Sequence, residues 1–78
     1  MKRFLTESGS IYEVDEENRR VRRLTGEHEP TPRQGPDGQW KDFLSYDDIH
    51  IGLMFVWEFD GPIAKTTVTS RVIGEEEV

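Results

Sequence analysis

The sequence predicts a small all-β protein: an antiparallel barrel of five to six strands, SH3-like as first choice and OB-like or a strongly bent sheet as second. Three observations lead there. Short runs rich in Val, Ile, Thr, Phe and Trp recur about every ten residues between clusters of Gly, Pro, Asp and Ser. No stretch carries the apolar spacing of an amphipathic helix. Closing short strands into a barrel also removes exposed edges, which a chain of 78 residues has little else to cover.

The first strand is Lys2–Thr6, closed by Glu7-Ser8-Gly9-Ser10, where Gly9 can take the positive φ of a tight hairpin. The second is Ile11–Asp15 and the third spans residues 20–24, joined by a four-residue polar loop, "EENR". Residues 25–39, "TGEHEPTPRQGPDGQ", hold three of the four prolines and three of the seven glycines, so they read as a long surface loop rather than a central strand. Pro36-Asp37-Gly38 makes a β-turn, and strand character resumes over residues 40–46. Ser45 with Asp48 suggests a single 3₁₀ turn before Gly52.

Residues 52–59, "GLMFVWEF", form the strongest strand, with Leu53, Phe55, Trp57 and Phe59 on one face and Met54 and Val56 on the other. Asp60-Gly61-Pro62 turns the chain into "KTTVTSRVI", residues 65–73, a β-branched run expected to pair with it. A single domain over residues 1–74 is expected, followed by a flexible acidic tail at 75–78.

Leu, Ile, Val and Phe make up about a quarter of the chain, above the level of roughly a fifth that signals intrinsic disorder. Eight aromatic rings, each able to bury roughly 150–250 Å², can carry most of the core. The absence of cysteine excludes disulfide staples and thiolate zinc sites. With only Phe4-Leu5 as an early apolar run and no long apolar stretch, the expectation is a cytoplasmic protein without membrane partners. A net charge of −6 repels bulk nucleic acid, so polyanion binding would require a segregated basic patch.

The segment "NRRVRRLTG" puts that requirement to the test, with four arginines in five positions. If residues 16–19 form the loop, Val14 faces Val21, Asp15 faces Arg20, Glu13 faces Arg22, Tyr12 faces Arg23 and Ile11 faces Leu24. Two cross-strand ion pairs then share one face, while Val14, Val21 and Tyr12 take the other with the Arg23 stem against the ring. The arginines become largely self-neutralised. Arg19 and Arg23 have no assigned acid in this register. Together with Lys41 and Trp40 they define the alternative, a single-stranded nucleic-acid site with phosphate contacts and a stacking ring.

Catalytic chemistry finds no constellation. His28 and His50 stand beside acids at no recognised metal-ligand spacing, no phosphate-binding glycine loop or nucleophile elbow occurs, and no cofactor is implied. The aromatic residues are foremost core. Trp40 and Tyr46, flanking the proline-rich loop, are the candidates for an exposed contact with a partner protein or a second copy, with Arg33 and Gln34 at the loop tip.

The phrases "SGSIYEVD", "RVRRL", "PTPRQGPDGQW" and "TVTSRV" resemble, in that order, those of small β-rich hypothetical proteins of actinobacteria and their phages. That group has no assigned activity, cofactor or catalytic residue. The resemblance implies a small accessory protein, of the phage-encoded kind that acts by binding a host protein. The reading of the residues is a non-enzymatic protein-interaction module, with single-stranded nucleic-acid binding as its alternative.

Overall fold

The computed structural model describes residues 1–25 and 37–78. Among them the chain forms eight strands and no helix: β1 Lys2–Thr6, β2 Ile11–Asp15, β3 Arg20–Thr25, β4 Lys41–Asp42, β5 Ser45–Asp48, β6 Leu53–Asp60, β7 Ile63–Val68 and β8 Val72–Glu77. They build two antiparallel sheets, one ordered β4-β3-β2-β1-β8 and the other β5-β6-β7. The expected all-β class is present, but the closed barrel of five to six strands is not. No helix among the described residues is long and apolar enough to cross a membrane.

The chain leaves one sheet and enters the other at two corners. At the first, Phe43 N–H donates to the Arg19 carbonyl in the large sheet and Leu44 N–H to the Val56 carbonyl in the small one. At the second, the run expected as one strand over 65–73 breaks at Thr69-Ser70-Arg71. β7 then stays with β6, while β8 crosses to β1.

The break has visible anchors. Thr69 Oγ1 accepts the Leu53 N–H at 2.9 Å and donates to the Ser70 carbonyl, and Ser70 Oγ lies 2.8 Å from Ser8 Oγ in the β1–β2 turn. Glu7 N–H donates to the Arg71 carbonyl at 2.8 Å. Gly52 passes directly against this corner.

The segment 75–78, expected as a flexible tail, is strand through Glu77. Its glutamates meet cations on β1: Lys2 Nζ lies 3.5 Å from Glu75, and Arg3 Nη1 donates to Glu76 at 3.0 Å. The carboxylates remain exposed, and three in succession along an outer strand discourage pairing with another chain. The 3₁₀ turn expected at Ser45 is instead strand β5, paired from Ser45↔Val56 to Asp48↔Leu53.

The β2–β3 hairpin follows the expected register at Val14↔Val21, Asp15↔Arg20, Glu13↔Arg22 and Tyr12↔Arg23. Only its base differs. A shift between Ile11 and Tyr12 sets Ile11 opposite Thr25 rather than Leu24. In the loop, Asp15 holds the turn by accepting from both the backbone and side-chain nitrogens of Asn18, while Arg19 takes a left-handed φ of 52°. An L-side chain there costs roughly 1–2 kcal/mol, whereas glycine tolerates the conformation but loses more entropy on folding. Arg19→Gly is expected to raise stability by about 0.5–1 kcal/mol in denaturant melts.

The core lies between the sheets. Phe4, Tyr12, Val14 and Val21 from the large sheet meet Leu53, Phe55 and Trp57 from the small one, with Phe43 from the corner. Phe55 is the hub: the rings of Trp57, Tyr46, Phe43 and Tyr12 lie 5.4, 5.7, 5.7 and 6.4 Å from it, centroid to centroid. Trp57 satisfies its indole N–H on Thr67 Oγ1 at 2.8 Å, which lets a large polar ring sit buried.

Candidate functional site

The arginine hairpin is the first place to look, and two of its four arginines, Arg20 and Arg22, are neutralised by acids on the facing strand. On the outer face of the large sheet a ladder runs across four strands. Glu76 of β8 pairs with Arg3 of β1, which donates to Glu13 of β2 at 2.9 Å. Glu13 in turn accepts from Arg22 of β3 at 2.8 Å. Beside it Arg20 donates to Asp15 at 3.0 Å. Glu13 is buried beneath the two guanidiniums, and the hydrogen bond from Arg3, followed by that from Arg22, holds its carboxyl below the ordinary range despite desolvation. Asp15 is likewise lowered, chiefly by the Asn18 amide.

Trp40 lies against this ladder. The Cζ atoms of Arg20 and Arg22 each stand 4.5 Å from its ring, so the indole is taken up by cation–π contact with the same two arginines that neutralise Asp15 and Glu13. It is half-buried. A base stacking on the part of the ring these guanidiniums cover would have to displace one that already has an acid partner.

The remaining residues singled out from the sequence do not converge. Arg23 is buried with its Nε 3.7 Å from Asp37, whereas Arg19 and Lys41 are exposed. Tyr46 is half-buried, packed on Phe43 and Phe55. Burial pushes its phenol up, and the bond to the Glu16 carboxylate adds to the shift. Arg33, Gln34 and His28 lie outside the described residues. His50, exposed at a left-handed φ of 68°, donates its backbone N–H to Asp48 at 3.0 Å. Among the described residues no group of three His, Cys, Asp or Glu is placed to hold a metal ion.

What the chain does present is an arm. β5 pairs with β6 only from Leu53 to Val56, so the far half of β6 has β7 alone beside it. Every residue from 58 to 64 in this two-stranded ribbon is exposed. At its end, Gly61 takes a φ of 61° in the turn, and Phe59 and Ile63 keep 64% and 66% of their surface in solvent. Lys65 pairs with Glu58 across the ribbon at 3.4 Å.

Strict alternation along β6 predicts Phe59 on one face with Leu53, Phe55 and Trp57. The register instead passes from Val56↔Thr66 to Glu58↔Lys65, which leaves Trp57 as an extra residue in the ladder. Beyond this bulge Phe59 opposes Ala64 and lies on the face of Val56, past the end of β5, where its ring is exposed. The four residues of β5 flank only part of the eight in β6.

No family model, curated protein or solved structure matches the chain.

Proposed function

We propose that the protein is a non-enzymatic protein-interaction module that docks through the β6–β7 arm. One observation carries the reading: two large apolar side chains, Phe59 and Ile63, stand on a ribbon that projects past its third strand. Phe59 opposes Ala64 and Ile63 opposes Asp60, so each face of the ribbon offers one large apolar side chain, and aromatic anchors are enriched at interface centres. The two-sheet arrangement with corners at Phe43-Leu44 and Thr69–Arg71 is compatible with an opened relative of an SH3-like barrel. The proposed role is that of a small accessory protein which captures a host protein, as the phrase resemblance implies. Trp40 and Tyr46 support the scaffold in this reading and do not contact the partner.

The test compares tagged wild-type protein with the Phe59→Ser/Ile63→Ser double variant in affinity capture from host lysate, with and without nuclease. Neither side chain belongs to the buried core, so the variant should melt within about 0.5 kcal/mol of wild type. A nuclease-resistant protein retained by wild type and lost by the folded variant is the expected outcome. Equal retention by both would overturn the arm as the docking element. Loss of all retained material on nuclease treatment would overturn the module reading and favour nucleic-acid binding.

A further inference from the structure

We draw no further inference here: the strongest candidate, the shallow apolar groove on the outer face of the large sheet floored by Leu5, Ile11 and Gly74, carries nothing because no feature of the structure shows what covers it.

Discussion

Gly52→Ala should remove a large share of the protein's stability. A Cβ at this position would lie 1.9 Å from the carbonyl oxygen of Thr69 and 2.8 Å from its carbon, both backbone atoms. They cannot swing aside as a flexible side chain could. Thr69 is itself fixed, since its N–H donates to the Leu53 carbonyl and its hydroxyl accepts the Leu53 N–H. Relief therefore means parting β6 from the corner that sends β8 to the other sheet. The expected cost exceeds about 3 kcal/mol, at the severe end for overpacking. A 78-residue domain has only roughly 4–12 kcal/mol in total.

Gly38→Ala is the matched control. Its φ is also positive, at 82°, but nothing lies within 4 Å of the added carbon. Only the conformational cost of roughly 1–2 kcal/mol applies there. Denaturant midpoints of the two variants measure the difference. Similar losses would show that the Thr69 corner yields, and that the close approach is not what requires glycine at position 52.

The second large effect is expected for Glu13→Gln, with a distinctive dependence on pH. Glu13 accepts from Arg3 and Arg22 while its own side chain is only 5% exposed. Removing its charge leaves two guanidiniums without their shared acid. A fully buried pair broken in this way loses roughly 3–5 kcal/mol. Here Arg3 and Arg22 keep 37% and 32% of their side-chain surface in water, so the loss at neutral pH should be nearer 2 kcal/mol.

The pH dependence follows from the direction of the shift. The folded carboxyl titrates below the ordinary 4.5 of the unfolded chain. Its contribution is thus complete above about pH 4.5, and is lost as pH falls through the folded value. The stability gap between wild type and Glu13→Gln should accordingly narrow in acid. Urea melts of both proteins at pH 7 and pH 3 read it directly. A gap of the same size at both values would mean that Glu13 acts through packing alone.

How much of this was legible depends on how local each feature is. The β2–β3 hairpin could be derived residue by residue, because a short loop ties the strands and only one register sets Glu13 on Arg22, Asp15 on Arg20 and Val14 on Val21 together. The ladder's third member, Arg3, was not paired in advance. Its partner Glu76 stands at the other end of the chain, and "EEE" read alone looks like a solvated tail. Only against "MKR" running antiparallel does it become an edge strand. The packing of Trp40 and Tyr46 is not legible in the sequence. Nothing in their own neighbourhood announces that guanidiniums two strands' length away will cover one, or that Phe55 will stack beneath the other.

The sequence by itself determined the all-β class, the turns at Gly9 and Gly61, the charged hairpin with Arg20 and Arg22 neutralised across it, and the core roles of Phe55 and Trp57. These rest on period-two patterning, turn chemistry and pairing across a short loop, all of which act over a few residues. Tertiary structure alone decided the division into two sheets, the recruitment of β8 by β1, and the bulge at Trp57 that sets Phe59 on the face of Val56. Each of these is a choice among partners distant in the chain, settled by which charges and apolar faces the assembled sheets can satisfy at once. The proposed docking arm belongs to this second group: its exposure comes from β5 ending before β6 does, and no property of Phe59 or Ile63 alone foretells it.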